Sequence, residues 1–158
     1  MEKCYISPDL NRAGGNRGGK DMNCNRTGMS AGAEEDAMPQ KIYLVGAGIT
    51  GWEGFGNKAL EVIGKAEVLI GHQRHLDIFP DFRGEKRPLE DLSAMLDFLR
   101  NTDKRVVVLG SGDPNFFGVG RFLLRNLPKE RVEIFPNVTS IQYAFARIKE
   151  PWDDSIFV

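Results

Sequence analysis

Val106-Val107-Val108-Leu109-Gly110-Ser111-Gly112-Asp113-Pro114-Asn115-Phe116-Phe117-Gly118 is the stretch whose reading decides the fold. Four consecutive β-prone apolar residues suit a strand buried on both faces, as in a parallel sheet rather than a half-solvated one. The run stops at Gly110, and a loop with two glycines and an Asp-Pro turn follows at once. A strand that ends in flexible backbone is the edge at which open α/β sheets take their ligands.

Working outward, the same pattern recurs. Towards the N-terminus, Ile42-Tyr43-Leu44-Val45 is a second short apolar run, and it stops at Gly46. After its own glycine-rich loop, Ala59, Leu60, Ile63 and Ala66 fall on one helical face, with Asn57 as the expected N-cap. Val68-Leu69-Ile70 then reads as the next strand, and Leu89, Leu92, Leu96 and Leu99 as the stripe of a helix leading into Val106. On the far side, Phe117 and Leu124 mark a helix, Val132-Glu133-Ile134-Phe135 a strand, and Ile141, Ala144, Phe145 and Ile148 the apolar face of a last helix. Strands alternating with helices predict an α/β fold, a mainly parallel sheet with helices on both faces.

Composition bounds the rest. The 158 residues suffice for one domain and part of another. With 21 Lys and Arg against 22 Asp and Glu, no overall field draws the chain to nucleic acid or an acidic membrane, so a small-molecule partner is favoured. Cys4 and Cys24 are too few for a disulfide framework and are not spaced as a metal knuckle. No apolar run approaches the roughly 20 residues that span a bilayer, and the expected location is cytoplasmic. Residues 1–40 are rich in Gly, Asn, Arg, Ser and Asp, so a disordered leader is expected there, with Met38 as the natural start of translation. The domain proper runs over 41–154. Residues 155–158, Ser155-Ile156-Phe157-Val158, read as the opening of a further strand and hence of a truncated second domain.

Two loops carry the chemistry. Gly46-Ala47-Gly48-Ile49-Thr50-Gly51 has the G-x-G-x-x-G spacing directly after a strand. A dinucleotide site also needs a helix opening at the third glycine and an acid at the end of the second strand. Here Trp52-Glu53-Gly54-Phe55-Gly56 prolongs the loop, and the second strand ends in Gly71-His72 with Glu67 at its other end. An NAD(P)-binding Rossmann-type oxidoreductase therefore remains an alternative lacking its confirming features, beside a turn that is glycine-rich only because the chain reverses. In the second loop, Phe116 and Phe117 are suited to cover a flat ligand. The competing reading makes Asp113 a helix cap with Pro114 at the first helical position, and packs one of the phenylalanines into the core.

The pairing of a Val-Gly-x-Gly loop after the first strand with Gly110-Ser111-Gly112-Asp113-Pro114-Asn115-Phe116-Phe117-Gly118 after the third resembles the tetrapyrrole methylases, most closely the group of precorrin-6Y C5,15- and cobalt-precorrin-7 C5-methyltransferases. Gly51-Trp52-Glu53-Gly54, Gly71-His72-Gln73-Arg74-His75-Leu76 and Pro136-Asn137-Val138-Thr139-Ser140 match similar segments there, so the resemblance runs from about Ile42 to Val158. Many relatives carry Pro-Gly where this chain has Ile49-Thr50, and relatives continue into a second α/β domain.

The resemblance implies S-adenosylmethionine as methyl donor and a precorrin-type tetrapyrrole as substrate, methylated at C5 in cobalamin biosynthesis. Fused members carry a downstream module for the other carbon and for decarboxylation, of which this chain has nothing. Donor contacts are implied at Gly46, Gly48, Ser111, Gly112, Asp113, Phe116, Phe117 and Gly118, with Thr139 and Ser140 at the start of the following helix. One of that last pair is expected to cap the helix instead. His72, Arg74 and His75 form the only titratable cluster at a strand end; they are read as substrate ligands, because Arg binds carboxylates with two parallel hydrogen bonds, or else as a solvated loop. No metal is expected, for want of a third ligand. Methyl transfer by in-line displacement needs alignment more than an acid or base, and positioning supplies roughly 7 to 11 kcal/mol of barrier reduction. No catalytic side chain is assigned. A homodimer is compatible with the resemblance, and a non-catalytic binding fragment is the remaining alternative.

Overall fold

The computed structural model describes residues 40–156. The leader expectation, with Cys4, Cys24 and Met38, lies outside the described residues, as do Phe157 and Val158.

Five strands form a single parallel sheet: β1 (Ile42–Ala47), β2 (Val68–Gly71), β3 (Glu85–Pro88), β4 (Val106–Ser111) and β5 (Val132–Phe135), in the order β3-β2-β4-β1-β5. The helices are α1 (Asn57–Gly64), the short α2 (Gln73–Leu76), α3 (Leu92–Asn101), α4 (Val119–Asn126) and α5 (Ser140–Ile148). Side chains of a strand alternate between faces, and the sheet separates its residues accordingly. Ile42, Leu44, Val106 and Val108 bury against Leu96 and Leu99 of α3 and Leu123 of α4. Val45, Ala47, Val107 and Leu109 bury on the other face with Ala59 and Ile63 of α1 and Leu76 of α2. The expected parallel α/β architecture is therefore the observed one. The central strand β4 is buried from Val106 to Gly110, which explains its unbroken apolar run.

Local details differ from the sequence reading. Gly56, in extended conformation, is the N-cap of α1, and Asn57 is already the first helical residue without a side-chain cap bond. Asp91 caps α3 by accepting from Ser93 N at 2.9 Å, so Leu89 lies before the helix, packed at the margin of the core. β3, Glu85-Lys86-Arg87-Pro88, has no apolar signature; it is an edge strand with a single neighbour, where charge and a terminal proline are usual features. The Arg87 guanidinium lies 4.0 Å over the Phe98 ring, a cation–π contact.

α4 begins only at Val119 with Gly118 as its N-cap, so neither Phe117 nor Pro114 is helical and Asp113 does not cap it. Asp113 closes a turn instead, Oδ1 accepting from Asn115 N at 2.9 Å, a bond that lies wholly within the loop ahead of α4. Neither phenylalanine joins the core; Phe117 is 71 % exposed. α5 forms as the periodicity predicts, yet none of its residues is fully buried and Ile148 is 63 % exposed.

Among the described residues, no helix is long and apolar enough to cross a membrane.

Candidate functional site

Parallel pairing fixes where the two glycine loops meet. Gly46 stands opposite Gly110 and Ala47 opposite Ser111 in the β1–β4 register, so both loops leave the sheet at the same carboxyl rim. They are then tied directly, Gly112 N donating to Ala47 O at 2.8 Å. A third segment closes the arrangement. β5 stops pairing with β1 at Val45 and Phe135, and the carbonyl of Gly46 is met instead by the Asn137 side-chain amide at 3.0 Å. Asn137 N also donates to Gly112 O at 3.2 Å, and Asn137 Oδ1 accepts from Val138 N at 2.8 Å.

This three-way clasp explains two of the glycines. A β-carbon on Gly46 would overlap the Gly112 carbonyl oxygen, and one on Gly112 would sit 2.9 Å from Thr139 Cα. Gly112 also has φ +52°, the left-handed region that disfavours L side chains.

The clasp floors a cleft of about 570 Å³. Gly48, Ser111, Gly112, Phe116, Thr139 and Ser140 of the expected donor set line it, and so do Arg74 and His75 of the expected substrate set. Gly46 is buried beneath, as part of the clasp. Phe117 and Gly118 face an adjoining cleft of about 470 Å³ together with His72, and Ser111 and Phe116 form the wall common to the two. Asp113 lines neither, its carboxylate being engaged in the turn. Thus the structure gathers most of the two residue groups around one rim; His72 faces the adjoining cleft, with its ring 6.0 Å from that of His75.

Phe117 has φ +51°, an uncommon backbone state for an aromatic residue, and its ring meets Phe116 edge-on at 4.8 Å. A conformation of this kind persists only where the surroundings impose it, and such residues concentrate at ligand sites. At the opposite margin, Thr139 caps α5 in a reciprocal box: its Oγ1 accepts from Gln142 N at 3.1 Å while Gln142 Oε1 accepts from Thr139 N at 2.9 Å. Thr139 is therefore the capping member of the pair, and Ser140 opens the helix beside the cleft.

Arg74 is the only formally charged residue in the lining of the cleft. Its Nη2 donates to Ser111 Oγ at 2.8 Å and its Nε to His75 Nε2 at 3.2 Å, and His75 Nε2 lies 3.3 Å from Ser111 Oγ. His75 is 5 % exposed, and its Nδ1 is buried without a hydrogen-bond partner. Burial pushes the His75 pKa below the usual 6.5, the Arg74 and His72 charges add to the shift, and a weak interaction with the Leu109 backbone, short of hydrogen-bond geometry, opposes it.

Asn137 and the apolar lining residues Ile49, Ile78 and Ile141 did not stand out as site residues in the sequence. For Asn137 a signal exists: Pro136-Asn137 follows the end of β5, at the rim already marked by two loops. A further cleft of about 570 Å³ lies between Leu60, Ile63 and Phe82, sharing only Ile78 with the first. It contains none of the loop backbone that makes the first distinctive. Among the described residues, no three His, Cys, Asp or Glu side chains converge as a metal site.

Known proteins resemble this chain in sequence and fold. The cobalt-precorrin-7 C(5)-methyltransferase of Salmonella typhimurium is 41% identical over 108 residues, 67% of this chain and 54% of that one. The chain thus spans about half the length of this curated relative. The crystal structure of the precorrin-6Y methylase of Archaeoglobus fulgidus superposes with a TM-score of 0.60 at 29% identity, over 70% of this chain and 59% of that one. The uroporphyrin-III C-methyltransferase of Thermus thermophilus, solved in complex with S-adenosyl homocysteine, gives 0.52 at 30% identity, over 66% and 47%. The profile of the Tetrapyrrole (Corrin/Porphyrin) Methylases matches residues 41–158. By fold, loop placement and sequence, the chain belongs to the tetrapyrrole methylase family.

Proposed function

We propose that this chain carries the donor side of an S-adenosylmethionine-dependent C-methyltransferase that acts at C5 of a precorrin in cobalamin biosynthesis. The observation that carries the reading is the clasp of two glycine loops and the Asn137 segment under one cleft at the carboxyl rim, where β-carbons at Gly46 and Gly112 would collide with neighbouring segments. The names of the matched relatives, cobalt-precorrin-7 and precorrin-6Y methyltransferases, support the substrate class.

S-adenosylmethionine, when bound, supplies a methyl group on a sulfonium sulfur. The residues of this chain hold and orient it. Gly48, Gly112 and Ser140 offer close backbone approach, and Phe116 and the cleft isoleucines exclude water from the reacting face. Exclusion of water and alignment are the contributions that an in-line displacement draws on most. The macrocycle is assigned to the adjoining cleft, with Phe117 and His72 at its edge and Arg74 near the shared wall. A tetrapyrrole carries several carboxylates, for which Arg74 has no competing carboxylate partner among the described residues. Self-association into a homodimer belongs to the same reading, since exposed Tyr143, Ile148 and Trp152 are apolar surface that association would cover.

An NAD(P) oxidoreductase is disfavoured by the strand order β3-β2-β4-β1-β5, which differs from the 3-2-1-4-5-6 order of dinucleotide-binding sheets, and by the want of an acid at the end of β2. Isothermal titration of the full chain tests the proposal. S-adenosylhomocysteine should bind with one site per chain while NAD and NADP produce no heat, and the reverse result would sink it. Binding without methyl transfer to a precorrin would mark a non-catalytic binding fragment.

A further inference from the structure

His75 was assigned with the substrate ligands, but its surroundings point to another role. Its ring is almost wholly buried, and its Nε2 meets Arg74 and Ser111, which line the cleft with it. Arg74 Nε–H has only donors to offer, so Nε2 must accept and the ring proton must sit on Nδ1. The imidazole is then neutral. Arg74, which lines the cleft, is held at two points, by Nε2 of His75 and Oγ of Ser111, and among the described residues its Nη1 has no hydrogen-bond partner.

We infer that His75 is a positioning residue: as a neutral acceptor it locks the Arg74 guanidinium against Ser111, making Arg74 a preset receptor for a ligand carboxylate. The inference rests on the donor-site reading above and names the chemistry of one contact within it. A fixed guanidinium loses less rotamer freedom on binding than a free one, and a planar fork suits a carboxylate. The carboxylate comes either from the amino-acid end of the donor or from the rim of the macrocycle, because the Arg74–Ser111 pair stands at the wall that both clefts share.

Protonation would dismantle the lock. A charged His75 would turn Nε2 into a donor facing the donors of Arg74, with like charge on both. The other groups facing His75 are His72, whose ring lies 6.0 Å away, the Ser111 hydroxyl and the Leu109 backbone; Asp77 of the same turn is engaged by Gln73 at 2.8 Å. Among the described residues, no carboxylate is placed to stabilise an imidazolium.

The test combines two ligands with three variants of the full chain. S-adenosylhomocysteine has the amino-acid carboxylate and 5′-methylthioadenosine lacks it, while uroporphyrin serves as a polycarboxylate macrocycle. Arg74→Ala should weaken one carboxylate ligand about ten- to hundredfold, the range for a hydrogen bond to a charged group, and leave methylthioadenosine unchanged. Loss confined to S-adenosylhomocysteine identifies the donor end; loss confined to uroporphyrin identifies the macrocycle. His75→Phe should reproduce part of the same loss, and His75→Gln, whose side-chain oxygen can accept from Arg74, should restore it. Carbon and nitrogen NMR of His75 in the wild type gives a reading independent of any variant's folding: the Nδ1–H tautomer is expected, titrating below the usual histidine range. An Nε2–H tautomer, or unchanged affinity for both carboxylate ligands in Arg74→Ala, overturns the inference. A wild-type chain that binds neither nucleoside removes the donor-site reading instead, and the tautomer then decides the role of His75 by itself.

Discussion

Replacing Asn137 by Asp is an almost isosteric change that isolates a single proton donor. Oδ1 remains to accept from Val138 N, now at 2.8 Å, while the amide that donates to Gly46 O at 3.0 Å becomes an oxygen. The Gly46 carbonyl is buried and has no strand partner on that side, because β5 pairing stops one residue earlier, at Val45. Leaving a buried acceptor unmet costs about 1–3 kcal/mol, and a carboxylate facing a carbonyl adds repulsion to it. A loss of about 2 kcal/mol is therefore expected, which lowers the melting temperature by roughly 6–12 °C in a domain of this size. Urea denaturation should show a lower midpoint with an unchanged slope, since the same surface is exposed on unfolding. The clasp also sets the spacing of the two glycine loops, so S-adenosylhomocysteine affinity should fall by about tenfold or more, the equivalent of ~1.4 kcal/mol. Asn137→Ala, which loses both bonds, should be comparable. If Asn137→Asp matched the wild type in midpoint and affinity while Asn137→Ala fell, the bond to Val138 would be the important one and the clasp argument would be refuted.

Three further outcomes are expected. Gly112→Ala combines a φ of +52° with a β-carbon 2.9 Å from Thr139 Cα, and should destabilise by about 2–5 kcal/mol in urea melts; a midpoint like the wild type's would contradict the close approach. Phe117→Asn should raise the melting temperature, because Asn tolerates positive φ at roughly 1 kcal/mol less than Phe and a ring that is 71 % exposed gives up little burial, while uroporphyrin affinity drops; a fall in melting temperature would show that the ring is structurally required. The fold holds the His75 pKa below its unfolded value of 6.5, so the neutral ring contributes stability that is fully present above pH 6.5 and is lost as pH falls through the folded pKa. Urea midpoints between pH 7.5 and 5 should decline more in the wild type than in His75→Gln, and parallel declines would show that His75 is not the group responsible.

Elements carried by local pattern are readable without the fold. The apolar runs of β1, β2 and β4 are buried because these inner strands of a parallel sheet are covered on both faces, the alternation of β5 suits a partly exposed edge, and Gly46 and Gly110 mark the rim at which β1 and β4 end. β3 escapes such reading: Glu85-Lys86-Arg87-Pro88 is a charged, partly exposed edge strand without apolar alternation, and by itself it looks like a loop. The starts of α1 and α4 shift for a related reason. Gly56 and Gly118 reach the extended N-cap conformation with no side-chain bond, whereas Asp113 is drawn into its own turn.

What the amino-acid order alone determined is thus the alternation of strands and helices, the two glycine loops, and through them the family. The order β3-β2-β4-β1-β5 and its register decided the rest. They bring Asn137 to Gly46 across 91 positions and Arg74 to Ser111 across 37. Periodicity and turn chemistry act over a few residues, so they cannot specify partners this distant; only when the parallel strands pack side by side do three chain segments become one clasp and a buried histidine become the support of an arginine.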